Sequence, residues 1–258
     1  MSRAILLSFL LFALAMPAAS GREAQVPPVE PDYVAPAASL TPSRVQNLQR
    51  RLLDWPGLAR YREENAALPA QQAGRVVFYG DSITDGWGRV AGTTFFPGKP
   101  YVNRGISGQT TAQMLVRFRQ DVIALKPDVV VILAGTNDIA GNTGPATQAM
   151  IEDNLRSMVQ LAQANGIRVV LASVLPASAY PWRPGYRPAA PIRALNQWIE
   201  AEAKRAGAVY LDYYRAMGNA DGGLDARLAA DGVHPTPAGY AVMAPLAERA
   251  IEQALGNR

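Results

Sequence analysis

The stretch VVFYGDSITDGW (residues 76–87) joins an apolar run to a polar turn. Its first residues belong to RVVFY (75–79), a short run of β-branched and aromatic residues that predicts a buried strand. The run ends abruptly at GDS (80–82), where such a strand would reach the surface. Ser82 is therefore either a cap for the helix that follows or a nucleophile presented at the tip of a strand.

Four further runs have the same character as the first: PYVN (100–103), DVVVILA (128–134), RVVLAS (168–173) and AVYLD (208–212). Helical patterns lie between and after them, at about 110–125, 147–165, 189–206 and 236–255. Strands that are apolar on both faces and alternate with helices indicate a parallel sheet covered on both sides. We therefore predict an α/β fold, a three-layer α/β/α sandwich with a mostly parallel five-stranded sheet.

The segment MSRAILLSFLLFALAMPAAS (1–20) differs from the rest of the chain. Arg3 precedes an apolar stretch from Ala4 to Met16, and small residues follow. This pattern is typical of a cleaved secretory signal peptide. An uncleaved membrane anchor is the alternative, but the apolar stretch is shorter than the roughly 20 residues that span a bilayer. We therefore expect an exported protein, periplasmic or secreted, with no stable membrane insertion after signal cleavage.

Three segments are expected after the signal peptide. Residues 21–41 are rich in proline and alanine and lack periodicity, which indicates a flexible or extended linker. Residues 42–74 are predicted to form a helical N-terminal extension, with one helix in 41–55 and a shorter one in 56–68. The main domain is predicted to span residues 75–258.

Composition excludes several classes of function. The chain has 258 residues and a net charge of +4, and its arginines are scattered without forming a basic run. We therefore expect no nucleic-acid partner. The sequence has no cysteine, which excludes disulfides, a cysteine nucleophile and thiolate metal ligands.

Polar segments occupy the ends of the predicted strands, where ligands of parallel sheets bind. They are GDSITD (80–85), NRGISGQTT (103–111) and AGTNDIAGNTG (134–144), joined by DGVHPTPAGY (231–240) before the last helix. In this order they resemble the four blocks of the GDSL hydrolases, also called SGNH hydrolases, over about residues 75–255. Position 83 holds isoleucine where the family name has leucine.

The resemblance implies a flavodoxin-like fold and a serine hydrolase. It places the catalytic triad at Ser82, Asp231 and His234, and the oxyanion hole at Ser82, Gly108 and Asn137.

The triad residues favour the same chemistry when they are considered alone. A serine hydroxyl needs an adjacent general base, and His234 is the only histidine in the chain. Asp231 lies three residues earlier, close enough for its carboxylate to orient the imidazole. A lone histidine is often structural, however, and a serine after Gly-Asp is often an N-cap.

The oxyanion candidates also have alternative roles. A glycine allows a backbone N–H to approach substrate closely, and an asparagine amide supplies a second donor for a tetrahedral oxyanion. Gly108 alone could be a turn glycine near Gly105, and Asn137 could form an Asx-turn before Asp138.

Other polar residues of these segments are expected to support the loops: Asp81, Asp85, Asn103 and Asp138. A paired-carboxylate glycosidase could be built on Asp81 and Asp85, but nothing else in the sequence supports it. The other common α/β-hydrolase arrangement is disfavoured because the chain has no G-x-S-x-G stretch.

The loop SVLPASAYPWRPGYRPAAP (173–191) is too long and irregular for an ordinary connection between a strand and a helix. Tyr180, Trp182, Arg183 and Tyr186 are candidates for substrate binding, the rings for an apolar or sugar group and the arginine for a phosphate or carboxylate. The alternative is a proline-stiffened surface loop packed on the N-terminal extension.

We therefore predict an exported serine esterase that acts through an acyl-enzyme and requires no cofactor or metal. Its expected partner is a small-molecule or polysaccharide ester, with short-chain or carbohydrate acetyl esters favoured. A lysophospholipase or lipase-type acylhydrolase is the alternative within the enzyme class. A non-catalytic carbohydrate-binding protein with the same fold is the alternative outside it.

Overall fold

The computed structural model of the protein describes residues 41–256. The predicted signal peptide (1–20) and all but the last residue of the predicted linker (21–41) lie outside the described residues. Within the described part of the chain, no helix is both long enough and apolar enough to cross a membrane.

Five strands form the sheet: β1 (Val76–Gly80), β2 (Tyr101–Gly105), β3 (Val129–Leu133), β4 (Arg168–Ala172) and β5 (Val209–Leu211). The helices are α1 (Pro42–Leu53), α2 (Arg62–Ala67), α3 (Ser82–Gly86), α4 (Thr111–Asp121), α5 (Thr136–Ala140), α6 (Gln148–Ala164), α7 (Ala189–Ala206), α8 (Tyr213–Met217) and α9 (Pro237–Gly256). A 3-10 turn at Ile123–Leu125 follows α4.

All neighbouring strands are parallel, in the order β2-β1-β3-β4-β5. The predicted five-stranded α/β fold, with its flavodoxin-like order, is thereby confirmed. Gly80 at the end of β1 pairs with Gly105 of β2 and with Leu133 of β3. The segments that follow these three strands consequently emerge side by side at one edge of the sheet, where the strand order reverses.

The two faces of the sheet are buried by different helices. Because successive side chains of a strand point to opposite faces, Val77 and Tyr79 of β1 pack in the cluster that contains α4, α6 and α7. Val76 and Phe78 pack in the opposite cluster, together with α9. All five residues of β1 are buried, which accounts for its uninterrupted apolar sequence.

The helices differ from the sequence-based expectation in two respects. The helix predicted in residues 56–68 is confined to α2, because Gly57 adopts a left-handed conformation (φ +73°) and residues 54–61 form turns. The short helices α5 and α8 were not predicted, and α3 was considered only as the helix that Ser82 might cap. Each has five residues, too few for a helical repeat of apolar positions to be recognised.

The N-terminal extension packs on α4 and on the end of β2. Asn65 donates to Asp121 at 2.8 Å and accepts from Nε of Arg104 at 2.7 Å. The buried Tyr61 donates its hydroxyl proton to the carbonyl oxygen of Gly105. The extension therefore contacts the strand end from which the Gly108 segment leaves.

Candidate active site

Ser82 is presented at a tight junction between β1 and α3. A Cβ atom at Gly80 would lie 2.1 Å from Oγ1 of Thr84 and 2.8 Å from the carbonyl oxygen of Leu133, so only glycine fits there. Asp81 is the N-cap of α3, and its Oδ1 accepts from the backbone N–H of Ile83 at 3.0 Å. Asp81 therefore caps α3, and the alternative in which Ser82 is the cap is wrong. The Ser82 hydroxyl remains available for another partner.

That partner is His234. Ser82 Oγ lies 2.9 Å from His234 Nε2, across 152 positions of sequence. His234 Nδ1 lies 2.7 Å from Oδ2 of Asp231. The imidazole is about 40% exposed, unlike a histidine that serves to fill a core.

The Asp231 carboxylate holds both the ring and its loop. Its Oδ1 accepts from the backbone N–H groups of Val233 at 2.9 Å and His234 at 2.7 Å. Burial acts to raise the pKa of Asp231, but these hydrogen bonds and the one from the His234 ring outweigh it and place the pKa below its usual range. An ionised Asp231 keeps the proton of the imidazole on Nδ1, so Nε2 can accept the proton of Ser82.

Gly108 lies in the turn that follows β2 and lines the same cavity as Ser82 and His234. Its φ of +79° is in the left-handed region, which favours glycine. A Cβ atom would meet no protein atom within 4 Å, so conformation and not crowding within the protein selects glycine here. Within residues 41–256, no acceptor takes the Gly108 N–H.

Asn137 is held by three contacts at the start of α5. Its Nδ2 donates to the carbonyl oxygen of Gln109 at 3.0 Å and to Oδ2 of Asp81 at 3.3 Å. Its Oδ1 accepts from Nδ2 of Asn142 at 2.6 Å. The amide is thus fixed beside Ser82, and its longer bond, to Asp81, is the one that a ligand could replace.

The residues expected to support the loops do so. Asn103 donates to the carbonyl oxygens of Thr84 and Trp87 and accepts from Gly105, which ties β2 to α3. Asp138 accepts from the backbone N–H and the hydroxyl of Thr111 at the start of α4. Burial raises the pKa of Asp138, against these hydrogen bonds.

Asp81 and Asp85 have different environments. Burial raises the pKa of Asp81 to about 7, although the hydrogen bond from Ile83 and the charge of His234 lower it. Asp85 accepts from the Ser107 hydroxyl at 2.7 Å and lies 3.3 Å from Nε of Arg89. Both carboxylates are thus engaged in holding backbone or loop groups, which does not favour the glycosidase alternative.

A cavity of about 410 Å³ opens above Ser82. It is lined by Ser82, Gly86, Val90, Ser107, Gly108, Asn137, Asn142, Trp182, His234, Pro235 and Tyr240. The volume is in the range of small-molecule sites. Ser82, the imidazole of His234 and both further oxyanion candidates therefore share one cavity. Within residues 41–256, no group of three or more acidic or histidine side chains could hold a metal ion.

Of the four loop residues predicted to contact substrate, Trp182 alone lines this cavity. Its ring centroid lies 6.0 Å from that of His234, and its Nε1 donates to Oδ1 of Asn142 at 3.1 Å. Tyr180 is buried beneath it, with the rings stacked at 5.1 Å and its hydroxyl 2.9 Å from that of Thr136.

Arg183 and Tyr186 are not among the residues that line the cavity with Trp182. Arg183 is buried and donates to the carbonyl oxygens of Ile139 and Ala140 at the end of α5. Its guanidinium stacks on the ring of Tyr186 at 4.0 Å. Tyr180, Arg183 and Tyr186 are not among the residues that line the cavity above Ser82. Tyr180 and Arg183 instead form hydrogen bonds to α5, and the substrate contacts expected of the three residues stay a prediction. Among the contacts of the described residues, the loop packs on α5 through Tyr180 and Arg183.

Three residues of the site were not singled out from the sequence. Asn142 connects Trp182 to Asn137, and the Tyr240 hydroxyl donates to the carbonyl oxygen of Ile83 at 2.8 Å. Gln109 accepts from Asn137 through its backbone. Asn142 and Gln109 occur in polar segments that follow strands, and Tyr240 lies in the first turn of α9. Their location in the polar segments could have drawn attention to them, although the sequence did not show their roles.

Comparisons with known proteins show the family to which the chain belongs. A model of the GDSL-like lipase/acylhydrolase family matches residues 78–242. The crystal structure of a GDSL-like lipase from Bacteroides thetaiotaomicron is 46% identical, with a TM-score of 0.74, over 78% of this chain and 99% of that one.

Two relatives are named as esterases. Esterase TesA of Pseudomonas aeruginosa is 34% identical over 139 residues, which cover 52% of this chain and 60% of that protein. An acetylxylan esterase of Geobacillus stearothermophilus is 38% identical over 87 residues, which cover 25% of this chain and 40% of that protein. The matches thus span less than two thirds of the length of either relative.

Proposed function

Because the chain belongs to the GDSL-like lipase/acylhydrolase family, we propose that it is a serine esterase that cleaves carboxylic esters through an acyl-enzyme. The observation that carries the proposal is the 2.9 Å contact between Ser82 Oγ and His234 Nε2, with Asp231 2.7 Å behind the ring. A hydroxyl activated by a base that a third group orients is the arrangement of nucleophilic catalysis. The cavity above Ser82 leaves room for the acyl group.

In the acylation step, Ser82 Oγ attacks the ester carbonyl carbon while its proton passes to Nε2 of His234. The negative charge that develops on the carbonyl oxygen is stabilised by the backbone N–H groups of Ser82 and Gly108 and by the Asn137 amide. Each such donor contributes roughly 3 kcal/mol to lowering the barrier. The Gly108 N–H has no acceptor within the described residues, so it meets the oxyanion without first breaking a bond.

Collapse of the tetrahedral intermediate breaks the ester C–O bond, and His234 gives its proton to the leaving alcohol. Water then attacks the acyl carbon while His234 takes a proton from it. The second intermediate releases the carboxylic acid as the proton returns to Ser82 Oγ. Asp231 stabilises the imidazolium in both half-reactions. The cycle uses side chains and backbone N–H groups of this protein and no cofactor.

We propose a short-chain ester, with a carbohydrate acetyl ester favoured. Similarity to a protein named acetylxylan esterase supports this choice. The cavity supports it as well, since about 410 Å³ suits a small substrate and Trp182 offers a ring to a sugar. A lysophospholipase or lipase-type acylhydrolase is the alternative, and similarity to a structure described as a GDSL-like lipase supports it.

Export to the periplasm or the exterior is part of the proposal. Its support is the charge and hydropathy pattern of residues 1–20. Cell fractionation with sequencing of the mature N-terminus tests it. A protein retained in the cytoplasm with an intact first segment would overturn it.

The esterase is tested with p-nitrophenyl esters of increasing chain length, acetylated xylan and lysophosphatidylcholine. We expect the acetyl esters to be cleaved, and Ser82→Ala and His234→Ala to abolish turnover without loss of circular dichroism. A preference for long acyl chains would favour the alternative substrate class. Failure of a fluorophosphonate to label Ser82 in the folded protein would favour the non-catalytic carbohydrate-binding protein.

A further inference from the structure

We propose that Gln109 is a positioning residue for ester hydrolysis and that the N-terminal segment Asp54–Tyr61 holds it in place. The inference rests on the proposed function, and it concerns a part of the chain outside the residues of the triad. Gln109 directly follows Gly108, and its carbonyl oxygen accepts from Nδ2 of Asn137 at 3.0 Å. Gln109 therefore adjoins one proposed oxyanion donor, Gly108, in sequence and contacts the other, Asn137, through a hydrogen bond.

The side chain of Gln109 is fixed at both ends. It is 4% exposed. Its Oε1 accepts from Nε of Arg117 at 2.5 Å, and its Nε2 donates to the carbonyl oxygen of Pro56 at 2.6 Å. Hydrogen bonds at both ends of a buried amide restrict its motion and thereby help to hold the backbone on either side of it.

The inner anchor, Arg117, is fully buried. Its Nη1 donates to the carbonyl oxygen of Arg104 at 2.9 Å and to Asp121 at 3.1 Å. Its Nη2 donates to the carbonyl oxygen of Gly80 at 3.1 Å. Arg117 therefore ties Gln109 to the carboxyl ends of β1 and β2, the strands that lead to Ser82 and Gly108.

The outer anchor is the segment Asp54–Tyr61. Asp54 folds it by accepting from the backbone N–H groups of Leu58 at 2.7 Å and Ala59 at 2.8 Å. Gly57 lies against the Gly108 loop, since a Cβ added there would be 3.1 Å from Nε2 of Gln109 and 3.2 Å from Ile106. At the other end of the segment, the hydrogen bond from Tyr61 to the carbonyl oxygen of Gly105 attaches the segment to β2.

Loss of this support misplaces donors that act on the transition state. A displacement of about 1 Å can cost about 10²-fold in rate. A group that acts only in the transition state lowers kcat and leaves KM unchanged. These two signatures separate positioning of the oxyanion donors from a general contribution to stability.

Gln109→Glu is the primary test. The carboxylate still accepts from Arg117 but cannot donate to the carbonyl oxygen of Pro56. The control is Gln120→Glu, because Gln120 Nε2 donates at 2.8 Å to Leu58 of the same segment and does not touch the Gly108 loop. With p-nitrophenyl acetate, we expect kcat of Gln109→Glu to fall by about 10- to 100-fold, with KM within about twofold, and Gln120→Glu to remain near the wild type.

Gly57→Ala is a second variant that leaves Gln109 intact. Its control is Gly74→Ala, since Gly74 has the same φ of +73° but an added Cβ would meet only Pro100, at 3.6 Å. Both variants carry the same backbone strain, and only the first presses on Gln109. We expect both melting temperatures to fall by similar amounts and kcat to fall only in Gly57→Ala.

Phenylboronic acid supplies a readout that stability alone does not move, because its tetrahedral adduct on Ser82 places an oxygen at the same donors. Its inhibition should weaken in Gln109→Glu by a factor close to the loss in kcat. The inference is overturned if Gln109→Glu and Gly57→Ala keep the same kcat and the same boronate affinity as their controls, Gln120→Glu and Gly74→Ala. A wild type without esterase activity, or an active Ser82→Ala, would instead overturn the proposed function.

Discussion

Nδ2 of Asn137 lies 3.3 Å from Oδ2 of Asp81, the residue that directly precedes Ser82. The other Asn137 N–H is used by the carbonyl oxygen of Gln109. A substrate oxyanion that accepts from the Asn137 amide therefore replaces Asp81 Oδ2 as the acceptor of that N–H group. Since Asp81 also caps α3, this carboxyl connects the helix that begins at Ser82 with Asn137, the proposed oxyanion donor.

Asp81→Asn should change how stability depends on pH. Burial raises the Asp81 pKa from its usual value to about 7, against the influence of Ile83 and His234, and the nearby Asp138 raises it further. The folded state therefore keeps a proton that the unfolded chain loses at lower pH, and stability falls as pH rises from about 4 to about 7.

Asparagine removes this charge and can still accept from the N–H of Ile83. We expect the unfolding free energy of Asp81→Asn to improve relative to the wild type between pH 5 and pH 7, by up to about 1.4 kcal/mol per pH unit. Urea titrations at the two pH values measure it. Asp212→Asn, at the N-cap of α8, controls for loss of a capping carboxylate. A pH-independent difference for Asp81→Asn contradicts the prediction.

Asp231→Asn should abolish most of the activity with little change in the loop. The Oδ1 of asparagine can still accept from the N–H groups of Val233 and His234, so the turn is retained. Its amide N–H faces Nδ1, however, and favours the imidazole tautomer whose Nε2 carries the proton and cannot accept from Ser82. We expect kcat to fall by about 10⁴-fold at an almost unchanged melting temperature. Activity above one tenth of the wild type would show that Asp231 does not set the tautomer.

The fold could be predicted from the sequence because its strands are buried on both faces. Val129–Leu133 reads as an uninterrupted apolar run, and the register of β1 with its neighbours places three polar segments at one edge. The pairing of Ser82 with His234 depended on the resemblance and on the single histidine, since no local pattern connects residues 152 positions apart.

The role of Arg183 could not be predicted for a physical reason. An arginine in a long aromatic loop has donors for a ligand, and the sequence does not show which backbone carbonyls will come within their reach. In the described part of the chain those acceptors include the carbonyl oxygens of Ile139 and Ala140, at the end of a helix too short to be recognised. The role of Gln109 could not be predicted for the same reason, because its hydrogen-bond partners, Arg117 and Pro56, belong to separate elements.

Arg183→Met should therefore affect stability more than substrate binding. The change leaves the buried carbonyl oxygens of Ile139 and Ala140 without these donors, which typically costs about 1–3 kcal/mol. We expect a lower melting temperature and an unchanged KM for p-nitrophenyl acetate at temperatures where the variant is folded. Arg187→Met, on the exposed side of the same loop, is the control. A large rise in KM without destabilisation would restore Arg183 as a substrate contact.

Trp182→Ala should weaken binding of substrates that offer a ring or a sugar face. Trp182 lines the cavity beside His234, and the loss of an aromatic contact is worth roughly 0.5–1.5 kcal/mol, or about two- to tenfold in KM. Trp182→Phe keeps a ring on this wall but loses the hydrogen bond to Asn142. We expect KM for acetylated xylo-oligosaccharides to rise in Trp182→Ala and much less in Trp182→Phe, while KM for the small ester ethyl acetate changes little in either. If the two variants were equally impaired on every ester, the contribution of Trp182 would be its bond to Asn142, which holds Asn137, and not the surface of its ring.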